Sequence, residues 1–182
     1  MRAATLPTLR TARLVLEPLT LAHADEMAVT LADPRIYTWL DYGPPPSVEH
    51  LRGVYHQLEA RRSPEGDEGW LNWVLRLADG FTAGFVQATV LDDGRAWVAY
   101  VLASRHWRQG LAQEAVAAMV DELQRQGVRA LMASVEVDNL ASIRLLERLG
   151  FVVADPARAE AEGMAPSERL YLRPLGPPGP VT

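Results

Sequence analysis

Residues 100–115 read YVLASRHWRQGLAQEA, and this stretch decides how the rest of the chain is interpreted. Its first residues end a run rich in aromatic and β-branched side chains, which predicts a strand. A short loop with Arg105 and Arg108 follows, and a helical pattern begins at Gly110. The first N–H groups of a helix lack internal partners and carry partial positive charge, so they bind phosphate. The stretch predicts a pyrophosphate cradle, and the alternative is an ordinary strand–loop–helix junction with surface arginines.

The loop differs from the phosphate-binding motifs that are easiest to recognise. It lacks the Gly-Lys-Ser/Thr of a P-loop and the G-x-G-x-x-G of a dinucleotide-binding turn. The chain also has no cysteine and no G-x-S-x-G, which excludes a cysteine nucleophile and argues against a hydrolase elbow. We predict no metal, because the four histidines form no ligand pattern: His23, His50, His56 and His106.

The residues just before the quoted stretch predict an antiparallel meander. Runs of aromatic and β-branched residues over 70–77, 81–91 and 96–102 read as three strands. Asp-Gly pairs separate them, and such pairs favour tight hairpin turns.

The N-terminal part predicts a strand followed by two helices. The strand covers 10–18, and the helices cover 21–31 and 48–62. Prolines and a glycine mark 33–46 as a loop between the helices.

The part after the quoted stretch alternates helix and strand. The apolar spacing predicts helices over 110–126 and 139–149 and a strand over 130–137. Two further strands are predicted at 151–153 and 169–175. A meander followed by strand–helix–strand–helix–strand indicates a mixed α/β sheet.

Length and charge limit the classes of function. The 182 residues suit one domain, with a core over 9–175 and a disordered tail at 176–182. The formal net charge of −5 argues against nucleic acid or an anionic membrane as partner. No apolar run resembles a signal peptide or a membrane span. We therefore expect a cytoplasmic protein, either a monomer or a homodimer.

Two motifs carry a resemblance to a known family. The loop Trp107-Arg-Gln-Gly-Leu-Ala112 is followed by Asn139-Leu-Ala-Ser142, and Leu149-Gly-Phe151 ends the second motif. At this separation they are similar to the core of the GNAT acetyltransferases, and most similar to the RimJ/RimL-like ribosomal-protein-alanine branch. The opening LRTARLVLEPLTLAHADEM also resembles that branch. The likeness covers 9–175, nearly the whole chain.

The resemblance implies acetyl-CoA as co-substrate and the acyl-CoA N-acyltransferase fold. In that fold the strand over 96–102 splays from the strand over 130–137. The pantetheine arm lies in the gap and pairs with the strand backbone, while the loop amides hold the pyrophosphate. The residues that this assigns to the cofactor are Tyr100, Val101, Leu102, Trp107, Arg108, Gln109, Gly110, Leu111, Ala112, Gln113, Asn139 and Ser142.

The resemblance also implies direct attack of a neutral amine on the thioester. The backbone N–H near Leu102 would bind the oxyanion. Many relatives supply the acid with a tyrosine seven residues after the asparagine, where this chain has Leu146. Ser142 is then the remaining candidate acid. A serine hydroxyl is a weak acid, so it could instead act by hydrogen bonding or through water.

The general base is harder to assign. Some protein-acetylating relatives carry a glutamate five residues before the asparagine, where this chain has Ser134. Glu136 lies two residues further along and therefore on the same strand face, where it could act through water. A solvated or ion-paired carboxylate is the alternative for Glu136, and Glu17 and Asp41 are other acidic candidates.

The acceptor pocket is expected at Trp39, Asp41 and Tyr42, although these aromatics could equally be packing residues. The acceptor amine is either a protein N-terminus or a small molecule such as an amino acid, a polyamine or an antibiotic. A different class of function is a CoA-binding sensor without turnover, which the missing tyrosine keeps open. A purely structural domain is opposed by the paired motifs.

Overall fold

The computed structural model describes residues 6–177, which form one mixed sheet flanked by helices. The strands are β1 (Leu9–Arg10), β2 (Leu14–Pro18), β3 (Glu68–Leu77), β4 (Thr82–Leu91), β5 (Arg95–Leu102), β6 (Ala130–Glu136), β7 (Val152–Val153) and β8 (Glu168–Pro174). The helices are α1 (Ala24–Thr30), α2 (Val48–Leu58), α3 (Leu111–Arg125), α4 (Leu140–Arg148) and α5 (Pro156–Ala161). None of these helices, within the described range, is long and apolar enough to cross a membrane.

The sheet has the spatial order β1-β2-β3-β4-β5-β6-β8-β7. All neighbouring strands are antiparallel except β5 and β6, which are parallel and joined through α3. The predicted meander and the mixed α/β sheet are confirmed. The Asp-Gly pairs lie in the two turns as expected, with Gly80 and Gly94 at φ values of 87° and 81°.

The N-terminal strand prediction was wrong in one respect. The predicted strand over 10–18 is instead the hairpin of β1 and β2, with a bend at residues 11–13. The Thr11 hydroxyl accepts the Leu14 N–H at 3.0 Å and closes this bend. A polar side chain that bonds its own backbone competes with the ladder, and this local bond divides the strand.

The second helix was predicted too long, and a fifth helix was not predicted. α2 begins after its Ser47 cap but ends at Leu58, because Arg61 adopts a φ of 57° that a helix cannot continue. The loop over 33–46 contains a short 3-10 helix, Pro34–Tyr37. α5 begins at Pro156 and is capped by the preceding Asp155, a start signal present in the sequence.

The C-terminal tail is described only in part. Residues 176–177 belong to neither helix nor strand, and the Gly176 carbonyl accepts the Gln124 side-chain N–H at 3.3 Å. The disorder predicted for 178–182 concerns residues outside the described range.

The sheet has a hydrophobic cluster on each face. The larger cluster packs β2 to β6 against α3 and α4, with Trp73, Met119 and Leu146 almost fully buried. The smaller cluster packs the other face against α1 and α2 around Met27 and Val74. Alternation along β5 therefore directs Tyr100 and Val101 to opposite faces.

β5 and β6 separate partway along their length. They pair at Arg95↔Ala130, Ala96↔Leu131 and Trp97↔Met132, and no ladder pair follows in the described chain. The end of β5, residues 98–102, is left without a partner on that side. This separation, here called the gap, is the predicted splay.

Gly84 brings β4 unusually close to the end of β5. Its φ is 150°, and a Cβ atom there would lie 2.0 Å from the Val101 carbonyl oxygen. The register of β3 with β4 also shifts beside it, between Leu75 and Arg76. Only glycine permits this approach, so this bulged contact fixes the position of the strand end at the gap.

Candidate active site

The loop between β5 and α3 ends in a sharp backbone turn. Arg108 and Gly110 have φ values of 61° and 78°, and Gly110 is the N-cap residue of α3 without a side-chain cap. The N–H groups of Leu111, Ala112 and Gln113 consequently find no acceptor in residues 6–177. Three free N–H groups at the positive end of a helix form an arrangement suited to an anion.

A side chain from the N-terminal hairpin supports this turn. Arg13 donates from Nη1 to the Gln109 carbonyl and from Nε to Glu114, both at 2.7 Å. Burial acts to raise the pKa of Glu114, but hydrogen bonds from Thr11 and Arg13 outweigh it and lower that pKa. The ionised carboxylate holds Arg13 beside the turn, 3.4 Å from where a Cβ atom on Gly110 would lie. Sequence reasoning missed Arg13 because it is 96 residues from Gln109 along the chain.

Trp107 joins the loop to the end of β5. Its indole N–H donates to the Leu102 carbonyl at 2.7 Å. The Gln109 side-chain amide donates to the Arg105 carbonyl at 3.1 Å and braces the loop from within. Arg105 and Arg108 are exposed and add positive charge at this end of the sheet.

Two hydroxyl groups meet across the gap between β5 and the start of α4. The Tyr100 hydroxyl makes a short hydrogen bond with the Ser142 hydroxyl. Ser142 is held by Asn139, the N-cap of α4, whose side-chain oxygen accepts the Ser142 backbone N–H at 3.2 Å. The oxygen of Asn139 is therefore engaged within the protein, and its NH₂ group remains available.

The sequence did not predict that the Tyr100 side chain meets Ser142 at the gap. Burial raises the pKa of Tyr100 to about 12, although the hydrogen bond with Ser142 acts to lower it. Leu146, at the position where many relatives carry a tyrosine, is 1% exposed and belongs to the core. The phenol at the gap therefore comes from β5, since α4 carries Leu146 where many relatives have a tyrosine.

A cavity of about 560 Å³ lies on the opposite face of the sheet, under α2 and the loop that precedes it. Val101 lines it, so the cavity opens to the strand end at the gap. No Asp, Glu, Lys or Arg of the described chain is among the lining residues. These are Leu19, Leu31, Tyr37, Tyr42, Gly43, Pro44, Pro45, Pro46, His50, Leu51, Val54, Tyr55, Leu58, Asn72, Phe85, Gln87 and Val101.

Of the three residues predicted for the acceptor pocket, the structure brings one to this cavity. Tyr42 lines it and packs edge-to-face on Tyr37, with ring centroids 5.7 Å apart. Trp39 and Asp41 are exposed and do not line it. The Tyr37 hydroxyl donates to the Leu31 carbonyl at 2.9 Å, and burial raises the pKa of Tyr37 to about 12.

The three candidate bases have different surroundings. The Glu17 carboxylate accepts a hydrogen bond from Arg76 Nε at 2.8 Å and contacts the His23 ring, so it already forms an ion pair within the protein. Asp41 is exposed to solvent. Glu136 is half-buried on the sheet face that carries the cavity, does not line it, and accepts the Ser167 hydroxyl at 3.4 Å.

His50 lines the cavity, and sequence reasoning had considered the histidines only as metal ligands. It lies in the first turn of α2, and its backbone N–H donates to the Ser47 cap at 3.0 Å. Within residues 6–177 no cluster of His, Asp and Glu could hold a metal ion. That the protein needs no metal stays a prediction.

Several known proteins are similar to this chain in sequence. The model of a family described as "Acetyltransferase (GNAT) domain" matches residues 13–152. A Bacillus licheniformis protein described as "Uncharacterized N-acetyltransferase p20" is 30% identical over 79% of this chain and 82% of its own length. The "[Ribosomal protein bS18]-alanine N-acetyltransferase" of Escherichia coli K12 is 33% identical over 58% of this chain and 73% of its length.

Solved structures share the fold at lower identity. The "Ribosomal L7/L12 alpha-N-protein acetyltransferase" RimL, in complex with coenzyme A, aligns with a TM-score of 0.74 at 18% identity. That alignment covers 93% of this chain and 97% of the other. The "Microcin C7 self immunity acetyltransferase MccE", in complex with acetyl-CoA and AMP, gives 0.74 at 17% identity over 91% and 94%.

Proposed function

Because the chain belongs to the GNAT acetyltransferase family and is an acetyl-CoA-dependent N-acetyltransferase, we propose that a primary amine attacks the thioester directly within a ternary complex. The observation that carries this proposal is the gap beyond Trp97↔Met132. It joins an anion-binding helix start on one face of the sheet to an acceptor cavity on the other. A long flexible donor that threads the gap can present its acetyl group at the cavity.

The cofactor-binding role of the β5–α3 loop is supported by unpaired donors. The free N–H groups of Leu111, Ala112 and Gln113 would hold the pyrophosphate, with Arg108 and Gly110 shaping the turn. A Cβ atom on Gly110 would lie 3.4 Å from Arg13 Nη2, so a methyl group fits there, whereas a longer and charged side chain would compete with the phosphate.

The gap offers polar groups along the path of the pantetheine arm. Tyr100 and Leu102 lie on the unpaired edge of β5, where the Tyr100 N–H and C=O can pair with the amides of the arm, and the NH₂ of Asn139 can donate to it. The backbone groups of Val101 face β4, so its proposed place in the cofactor site rests on its side chain at the cavity. Trp107 and Gln109 act indirectly, since their side chains hold the loop to Leu102 and Arg105.

Acetyl-CoA supplies a thioester, and the residues of the chain prepare the amine that attacks it. A cavity lined by no charged side chain of the described chain disfavours an ammonium ion and lowers the pKa of the bound amine. The Leu102 backbone N–H is the proposed donor to the oxyanion. Tyr100 and Ser142 are the proposed donors to the departing sulfur.

Glu136 is the proposed base, acting through water, and its neutralisation tests this role. Glu136→Gln should lower kcat/KM by about tenfold. This is less than the loss of about 10²-fold or more expected for a base in direct contact with the amine, because here water relays the proton. The affinity for acetyl-CoA, measured by calorimetry, should not change.

Glu168→Gln is a matched control, because Glu168 lies opposite Glu136 on β8 and loses the same charge. If Glu136→Gln turns over like the wild type, Glu136 has no part in the chemistry. His50, which lines the cavity, is then the next group to replace.

The acceptor proposed here is a protein N-terminus or a small-molecule amine. Relatives described as acting on ribosomal-protein alanine or on the α-amine of a ribosomal protein support the first class. The relatives described above are all named as acetyltransferases, so the sensor alternative gains no support from them. A cytoplasmic location and the oligomeric state stay predictions.

The first test of the function combines binding and turnover. Calorimetric titration should give saturable binding of acetyl-CoA and of CoA, and a free-thiol assay with a panel of amines and short peptides should release CoA. Binding without thiol release on any acceptor would contradict turnover, and absence of binding would contradict the site itself.

A further inference from the structure

Two amide side chains lie directly opposite each other on the floor of the cavity. Asn72 of β3 and Gln87 of β4 are cross-strand partners, and both face α1 and α2. Asn72 is only 6% exposed. Neither side chain makes a hydrogen bond to any group in residues 6–177, although the Asn72 backbone carbonyl accepts the Leu19 N–H at 2.9 Å.

The amide atoms of Asn72 and Gln87 are not among the fully buried unpartnered side-chain atoms of residues 6–177, so these atoms are accessible from the cavity that both residues line. They are free to hydrogen-bond a molecule bound there. Asn72 and Gln87 also line a second, smaller depression of about 120 Å³, beside Trp70 and Thr89. The two residues therefore lie between the two spaces and line both of them.

From this we propose that Asn72 and Gln87 form a subsite that binds an amide group of the acceptor. Each side-chain amide offers one acceptor oxygen and two N–H donors. Together the pair can accept the N–H and donate to the C=O of one ligand amide. Phe85, Tyr55 and the other apolar lining residues surround the pair, so the acceptor around this amide is uncharged.

The sheet register sets the distance between this amide and the acetylated amine. Val101 lines the cavity at the gap, and Gln87 pairs with Ala99, two residues earlier along β5. Two strand residues span about 7 Å along β5, and Gln87 lies one strand spacing of about 4.8 Å to the side, so Gln87 is about 8 Å from Val101. Asn72 lies one strand further, and its side chain would have to reach back toward Gln87. Two residues of an extended peptide span about 7 Å, so the peptide unit after the second residue is the one closest to Gln87.

This inference rests on the proposed function, because it places the reacting amine beside Val101. The inference goes beyond that function because it requires the acceptor to carry an amide group at a fixed distance from the amine that is acetylated. The source of the amide could be a peptide or a small molecule, and the acceptors used in the test separate the two.

The test compares acceptors that differ only in the amide. They are the tripeptide Ala-Leu-Leu-NH₂, its analogue with an ester in place of the amide after the second residue, 6-aminohexanamide, and hexylamine. For the wild type, kcat/KM should be about tenfold higher for the tripeptide than for its ester analogue, as expected for one lost hydrogen bond. The same preference for 6-aminohexanamide over hexylamine would extend the subsite to small amides, and a preference confined to the tripeptide would assign it to peptides.

Two near-isosteric variants locate the effect. Asn72→Leu and Gln87→Met should reduce the amide-to-ester ratio from about ten to near one, since the ester already lacks the contact. Gln57→Met is the control, because Gln57 is exposed on α2 and undergoes the same change as Gln87. Calorimetric binding of the acetylated tripeptide in the presence of CoA gives the same comparison without turnover.

The outcomes are separable. If no acceptor releases thiol from the wild type, the proposed function fails, while weaker product binding by Asn72→Leu would still support the subsite. If the wild type treats amide and ester alike in both assays, or if the variants keep the wild-type ratio, the subsite is overturned.

Discussion

Gly110→Glu should abolish detectable binding of acetyl-CoA and CoA. The carboxylate would stand at the N-cap of α3, beside the free N–H groups of Leu111 to Gln113. Two like charges about 4 Å apart near a protein surface repel by about 4 kcal/mol. That energy corresponds to a loss of roughly 10³-fold in affinity. Calorimetric titration measures the loss directly.

Backbone strain must be separated from this effect. Gly110 has a φ of 78°, so any side chain there costs about 1 kcal/mol of folding free energy. Gly127, at the other end of α3, has a φ of 87° and open space around it. Gly127→Glu introduces similar backbone strain and the same charge about 25 Å away, given 1.5 Å per helical residue, and salt screens the charge at that distance.

Gly127→Glu should be at least as destabilised thermally as Gly110→Glu, because a carboxylate is unfavourable at the C-terminal end of a helix, while its CoA affinity should be unchanged. Gly110→Ala should lose only a few-fold in affinity, because it adds strain without charge. A folded Gly110→Glu protein that binds CoA like the wild type would place the pyrophosphate elsewhere.

The sequence predicted the features that are local. Asp-Gly turns and strand alternation gave the meander, and the glycine at 110 gave the start of α3. The paired motifs gave the fold through resemblance to a family. The end of α2 was predicted wrongly. It depends on the backbone conformation of Arg61, and no glycine or proline between Leu58 and Arg62 marks it in the sequence.

The features that the sequence did not predict are contacts between distant segments. Arg13 reaches Gln109 across 96 residues, and no local pattern marks that pair. Alternation places Tyr100 on the α4 face but does not reveal that its hydroxyl meets Ser142, 42 residues later. Trp39 and Asp41 were assigned to the acceptor pocket by resemblance and because aromatics beside an acid suit a cationic amine. Neither lines the cavity, since a loop position gives no side-chain direction, and their role in binding the acceptor stays a prediction.

The meeting of Tyr100 and Ser142 leads to the second large expected effect. The pKa of Tyr100 is about 12, whereas a thiol has an ordinary pKa of about 8.5. Full proton transfer from Tyr100 to a thiolate is therefore unfavourable. A tyrosine that donates to the Ser142 oxygen leaves the serine hydroxyl proton free to donate to the sulfur, so the pair stabilises the leaving group by hydrogen bonding.

Tyr100→Phe and Ser142→Ala should each lower kcat by about 10²-fold, the usual cost of one donor to developing negative charge. The affinity for acetyl-CoA should change little, because the contact strengthens as charge develops on the sulfur. The Asn139 cap bonds the backbone N–H of Ser142 and survives Ser142→Ala. Steady-state kinetics with saturating acceptor measures these effects.

The double variant distinguishes a relay from two independent donors. If Tyr100 acts only through Ser142, Tyr100→Phe/Ser142→Ala should be no slower than the slower single variant, whereas independent donors would multiply their losses. Tyr171→Phe is the control, because it removes a phenol hydroxyl from another largely buried tyrosine on β8.

The pH dependence gives a further check on the same pair. Because the raised pKa of Tyr100 keeps its hydroxyl protonated, kcat of the wild type should show no alkaline decrease from this group below about pH 11. An alkaline decrease near pH 9 that disappears in Tyr100→Phe would mean that Tyr100 ionises in the working range and is a true proton donor. Single variants with wild-type kcat would instead make the contact between Tyr100 and Ser142 structural.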